Sequence, residues 1–139
     1  MARRKSRTLA LSVLFQIDVG KVAPAEALAY TLAKDGETER YAREIVEGVV
    51  AHGKEIDRFI TDQASEAWNL RRMPPVDRNI LRIALYEIAF GEGVPDAVAV
   101  DEAVEIAKIY GAEETPKFVN GVLGGFVTSR EVPHESGAP

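Results

Sequence analysis

The chain has 139 residues, no cysteine and two histidines, so it is long enough to bury a core but offers no disulfide framework, thiol nucleophile or thiolate metal site. Hydrophobic and charged contents of 46 % and 28 % are those of an ordinary globular domain. The net charge is −5, yet Arg3, Arg4, Lys5 and Arg7 fall within the first seven positions and no acidic residue precedes Asp18.

Helical periodicity runs through almost the whole sequence, broken at Gly and Pro. Leu9, Ala10, Val13, Leu14 and Ile17 predict a first helix whose opening turns carry the basic residues, ended by Gly20. Its basic head and apolar run imitate a secretory signal, but Gln16 and Asp18 stand where a small-residue cleavage site belongs. No stretch has the apolar length of a membrane span, so the expectation is a soluble, cytoplasmic protein. A second helix is expected from Pro24, with Ala25, Leu28, Ala29 and Leu32 on one face, ending at Gly36. Thr38 is placed as the N-cap of a third, carrying Tyr41, Ala42, Ile45, Val49 and Val50 and closed by His52-Gly53. Ile56, Phe59, Ile60 and Ala64 mark a fourth.

Trp68, Leu70 and Pro74-Pro75 form a connector. The fifth helix, about Val76 to Phe90, is apolar round most of its circumference and reads as the central buried one. After the loop Gly91–Pro95, a sixth helix turns Val98, Ala99, Glu102, Ala103, Ile106, Ala107 and Tyr110 inward and stops at Gly111. Thr115-Pro116 then reads as an N-cap hydroxyl followed by proline at the first helical position. The seventh helix carries Phe118, Val119, Val122, Leu123, Phe126 and Val127. No alternating pattern argues for a sheet. The fold class is all-α, one domain over residues 1–131 with a disordered tail over 132–139.

No glycine-rich phosphate loop, nucleophile elbow or histidine-based metal motif is present, so no enzyme, cofactor or metal is expected. Asp101, Glu102 and Glu105 read as a solvated helix face, and His52 as a residue meeting free carbonyls at a helix C-terminus. The basic tip carries more. Arg3, Arg4 and Arg7 lie at helical spacings and can present guanidiniums together to phosphates, whose geometry suits the arginine fork; otherwise the tip is a solubilising tail. Lys117 and Phe118 share the first turn of the last helix, where free N–H groups favour anions and a phenyl ring can stack on an unpaired base. Equally, Phe118 is core. Gly121 in mid-helix is explained by close approach of a neighbouring helix.

Several long motifs now stand in order: Asp77-Arg78-Asn79-Ile80-Leu81-Arg82-Ile83-Ala84-Leu85-Tyr86-Glu87, Pro95, Ala99-Val100-Asp101-Glu102-Ala103-Val104-Glu105-Ile106-Ala107-Lys108, and Lys117-Phe118-Val119-Asn120-Gly121-Val122-Leu123. With the Arg-rich first helix and the Val49…Ile56-Asp57…Ile60 stretch, residues 3 to 128 resemble the NusB transcription antitermination factors. The resemblance implies an all-helical bundle of about seven helices in two packed subdomains, the first from the N-terminal helices and the second from the later four. It implies binding of the single-stranded boxA element of nascent ribosomal RNA together with NusE, a small-subunit ribosomal protein, within an RNA polymerase antitermination complex. By position it puts Arg3, Arg4, Lys5, Arg7, Phe15, Glu114, Lys117 and Phe118 on the RNA surface. Phe15 stands where some relatives have tyrosine, which keeps stacking and loses a hydroxyl. Asp77, Arg78, Arg82 and Glu87 are implied for the NusE face, although Arg82 and Glu87 equally suit an intramolecular pair.

Two other readings remain open at the level of sequence. One is a protein adaptor without RNA affinity, whose tip only aids solubility. The other is a detached NusB-like domain of a ribosomal RNA cytosine methyltransferase, which is expected to continue into a catalytic domain, whereas this sequence stops at Pro139. Some relatives self-associate, so both monomer and homodimer are compatible with the sequence.

Overall fold

The computed structural model describes residues 2–64 and 69–131; Trp68 and the 132–139 tail lie outside the described residues. Within them the chain forms seven α-helices and no strand: α1 (Ala2–Asp18), α2 (Pro24–Thr31), α3 (Glu37–Ala51), α4 (Gly53–Gln63), α5 (Pro75–Ala89), α6 (Asp96–Tyr110) and α7 (Thr115–Glu131). The breaks fall where Gly and Pro dictate. Pro24 and Pro75 each open a helix, where their missing N–H costs nothing, and Gly93 supplies the φ of +81° that the α5–α6 loop requires.

α1 and α3 pack against each other, with α2 alongside α1, while α4, α6 and α7 form the other half. α5 lies between the halves and touches α1, α3, α4, α6 and α7. That position explains its composition: Ile80, Leu81, Ile83, Ala84, Leu85 and Ile88 are all buried, so it is apolar on nearly every side. One continuous core results, joining Val13 and Leu14 of α1 to Ile45 of α3, Ile60 of α4, Ile106 of α6 and Leu123 of α7.

The structure corrects several local expectations. On α2 the buried face is Ala27 and Leu28, with Leu32 just beyond, whereas Ala25 and Ala29 are exposed. Gly36, not Thr38, is the N-cap of α3; the Thr38 carbonyl instead accepts a hydrogen bond from Ser6 Oγ of α1 at 2.8 Å. His52 is the joint between α3 and α4, its ring stacked on Phe90 at 3.8 Å and its Nδ1 3.0 Å from Glu55 Oε1. Gly121 has no close neighbour: a Cβ there would meet nothing within 4 Å.

Candidate nucleic-acid interface

α1 and α6 run side by side in the same direction, and α5 runs the opposite way beneath them. Arg4 near the start of α1 bonds Glu102 in the middle of α6. At the far end, Phe15 and Tyr110 line one groove whose floor includes Leu11 and Val76. The span of α1 from Arg4 to Phe15 is about 16 Å at 1.5 Å per residue, a length of a few nucleotides.

The basic tip divides into residues that face out and one that does not. Arg3 is exposed, its guanidinium 4.0 Å from the centre of the Tyr41 ring. Lys5 is exposed as well. Arg4 is half-buried and paired through both Nε and Nη2, each 2.9 Å from a Glu102 carboxylate oxygen. Those bonds hold the Glu102 carboxyl below its usual range, despite some opposing desolvation. Arg7 departs from the sequence expectation. Its side chain is 5 % exposed and its Nε lies 2.9 and 3.0 Å from the two oxygens of Glu87, itself 1 % exposed. Tyr41 Oη donates to the same carboxylate, and burial with this anion beside it pushes the phenol pKa up. Arg7 is therefore a largely buried cation engaged with Glu87, although it also lines the cleft that Arg3 and Arg4 line. Arg7 shares its helix face with Ala10, Leu11 and Leu14, three, four and seven residues on, so its place in the apolar stripe was a signal already present.

At the other end the surface becomes aromatic. Phe15 is 39 % exposed and Tyr110, which the sequence pattern turned inward, is 52 % exposed. Phe118 is half-buried against the core and lines a pocket of about 120 Å³ with Pro74, Asp77 and Glu114. Its ring thus meets both the core and the pocket. Glu114 and Lys117 are exposed beside it.

Thr115 is buried at the first residue of α7, and its hydroxyl bridges two further elements. It accepts from the Ala112 N–H and donates to Asp77 Oδ1, both at 3.0 Å, tying the α6–α7 loop to the first turn of α5. Burial of Asp77 raises its carboxyl pKa, with the threonine bond opposing.

The four residues expected on a NusE face are engaged within the chain. Asp77 and Glu87 are buried, as above. Arg78 binds Asp18 through Nε and Nη2 at 2.6 and 2.9 Å and donates Nη1 to the carbonyls of Leu70 and Met73. Arg82 pairs with Asp57 at 2.9 Å and Asp18 at 3.1 Å, not with Glu87. Asp18 also accepts from Asn79, so one carboxylate at the end of α1 gathers three donors from α5. The Arg78 bond is the main reason its pKa falls to about 2. Because the folded value lies below the ordinary 3.8, the stabilisation is fully present above about pH 4 and is lost as pH falls through 2. Wild-type protein is expected to lose Tm steeply between pH 4 and 2, and Asp18→Asn to start lower at pH 6 but fall less, the two curves converging near pH 2. Parallel curves in thermal melts would show that Asp18 does not carry this dependence.

The described residues thus form a seven-helix bundle with exposed cations at the start of α1 and exposed aromatic rings at the ends of α1 and α6. The chain belongs to the NusB family, matching it over residues 4–128. It is 51 % identical over 127 residues to the transcription antitermination protein NusB of Heliobacterium modesticaldum, covering 89 % of this chain and 61 % of that longer one. It is 48 % identical to the protein of the same name from Pelotomaculum thermopropionicum, over 94 % of this chain and 92 % of the relative. Among solved structures, a crystal structure of antitermination factors NusB and NusE in complex with dsRNA superposes with a TM-score of 0.83 at 29 % identity, covering 92 % of this chain and 97 % of that one.

Proposed function

We propose that this chain is a transcription antitermination factor that binds boxA-type RNA as a single strand together with NusE, and so helps RNA polymerase read through terminators. The observation that supports the reading is a basic start of α1 together with aromatic rings that line open grooves, Phe15 with Tyr110 in one and Phe118 in another. Arg3, Arg4 and Lys5 stand in the first turn of α1, Phe15 and Tyr110 at the far ends of α1 and α6, and Phe118 beside exposed Lys117 at the start of α7. Phosphates would be held at the tip, where charge falls off within a Debye length of the acidic body. Unpaired bases would stack on the rings. Such a protein works by recruitment and forms no bonds itself. It would act in the cytoplasm, where nascent RNA is made; no described helix is long and apolar enough to cross a membrane.

Of the residues expected on a NusE face, Arg78 and Arg82 reach the surface in a cleft they share with Leu70 and Arg71. A protein partner would touch them there, whereas Asp77 and Glu87 are buried, Asp77 beside the pocket that Phe118 lines.

Fluorescence anisotropy of a labelled boxA-type RNA beside a scrambled one, with and without NusE, tests the assignment. Preferential binding that tightens with NusE is expected. Tyr110→Ala and Phe15→Ala should each weaken it by about 1–3 kcal/mol, the usual worth of one stacked base. Arg3→Ala should flatten the salt dependence by about 0.7 in log–log slope, one phosphate on a single strand. Equal, weak binding to both RNAs that ignores NusE would leave a helical adaptor with a solubilising tip.

A further inference from the structure

Among the described residues Arg4 is the cation of the exposed tip whose Nε–Nη2 edge is already filled by a carboxylate. Its Nε and Nη2 meet Glu102 Oε1 and Oε2 at 2.9 Å each, the two-pronged geometry with which a guanidinium grips a phosphate. The pair lines a surface cleft together with Arg3, Arg7, Val94, Pro95 and Val98. The Arg4 side chain remains 42 % exposed and Glu102 21 %, so a solvent-borne anion can reach the guanidinium without any change of fold. Glu102 is held from a second side, with Arg7 Nη1 3.8 Å from Oε1. Arg7 is itself fixed by Glu87, so the carboxylate keeps a cationic neighbour if Arg4 turns away.

Resting on the RNA reading above, we infer that Glu102 is an affinity-setting residue, a carboxylate that occupies the bidentate Nε–Nη2 edge of Arg4 in the free protein and is exchanged there for an RNA phosphate on binding. The exchange substitutes one charge-assisted pair for another, so Arg4 contributes little net affinity while Glu102 is present. The tip then grips RNA chiefly through Arg3 and Lys5, and polyanions that offer only charge gain less from it than its arginine count suggests. Glu102 thereby tempers nonspecific attraction and leaves discrimination to the aromatic end of the groove.

The test is RNA anisotropy over a salt series for wild type, Glu102→Gln, Arg4→Gln and the double variant, with boxA-type and scrambled oligonucleotides. Glu102→Gln keeps the side-chain length, and Arg7 keeps Glu87, so the fold is expected to persist; Glu102→Ala is the second variant, and thermal melts verify both. Freeing Arg4 should tighten binding on the order of tenfold at low salt and steepen the log–log salt dependence by about 0.7, with the scrambled RNA gaining at least as much as boxA. The gain should vanish in the Arg4→Gln background. Glu105→Gln is the control for charge alone, since Glu105 lies three residues on, pairs with Lys108 at 3.0 Å and does not occupy the Arg4 edge; it should give a smaller effect. If wild type binds RNA but Glu102→Gln leaves affinity and slope unchanged, or gains equally without Arg4, the inference falls and the RNA reading stands. If wild type binds neither RNA, both fall together.

Discussion

Arg7→Ala is expected to cost about 3–5 kcal/mol of folding stability, the penalty for breaking a buried ion pair from one side. Removing the guanidinium leaves the Glu87 carboxylate between α1, α3 and α5 with the Tyr41 hydroxyl as its remaining described partner. A charge stranded at 1 % exposure recovers little solvation, which is why the loss exceeds the net worth of the pair. Urea titration should show a lower midpoint at an unchanged slope, and RNA binding should fall only as far as the folded fraction falls. Arg3→Ala and Lys5→Ala should behave oppositely, within about 0.5 kcal/mol of wild-type stability but weaker on RNA. Replacing the whole cluster (Arg7→Met, Glu87→Leu and Tyr41→Phe together) should restore most of the loss, since apolar groups of similar volume leave no unpaired charge. An Arg7→Ala protein that unfolds at the wild-type midpoint would refute the buried assignment.

The division of labour between Arg3 and Arg7 also shows what a sequence of this kind displays and what it hides. Helix positions follow from local rules, apolar spacing near 3.6 and breaks at Gly and Pro, and these needed no tertiary information. Which charge in a basic run faces in depends on where α1 crosses α5, a long-range fact. Even so, a trace existed. Arg7 continues the stripe of Ala10, Leu11 and Leu14, and Glu87 continues that of Ile80, Ile83 and Ala84, so opposite charges stood at core positions of two helices. Tyr110 failed in the other direction. It lies in the stripe of Ala103, Ile106 and Ala107, but periodicity assigns a face and says nothing of how far along the helix the partner extends. At the last residue of α6 the cover has ended and the ring stands over the groove. Thr115 reads as a local cap because capping patterns are local, and nothing local announces that its hydroxyl also donates to a carboxylate 38 residues away. The pairing of Arg4 with Glu102 spans 98 residues and left no sequence signal beyond the presence of both.

Glycine gave the most misleading signal, and correcting it yields the second large prediction: Gly48→Ala is expected to cost at least about 3 kcal/mol, the upper end of ordinary overpacking. A Cβ built at Gly48 of α3 would lie 2.0 Å from Cε1 of Tyr86 and 2.6 Å from Cδ1 and Cζ. The ring belongs to α5, is 8 % exposed and has rigid geometry, so one helix must back away from the other. A glycine in mid-helix otherwise costs about 1 kcal/mol relative to alanine, so its presence here is explained by the close approach it permits. That approach matters to the binding face, because Tyr41 stands seven residues earlier on the same side of α3 and must reach Glu87 while supporting Arg3. A double-mutant cycle separates overpacking from any other cause. Tyr86→Ala alone should cost about 3–5 kcal/mol, as for a buried aromatic. In that background Gly48→Ala should become neutral or stabilising, by up to about 1 kcal/mol, because only the helix propensity of alanine remains. The reversal of sign is the decisive readout in chemical denaturation; the same cost in both backgrounds would mean that the α3–α5 contact is not what demands glycine at position 48.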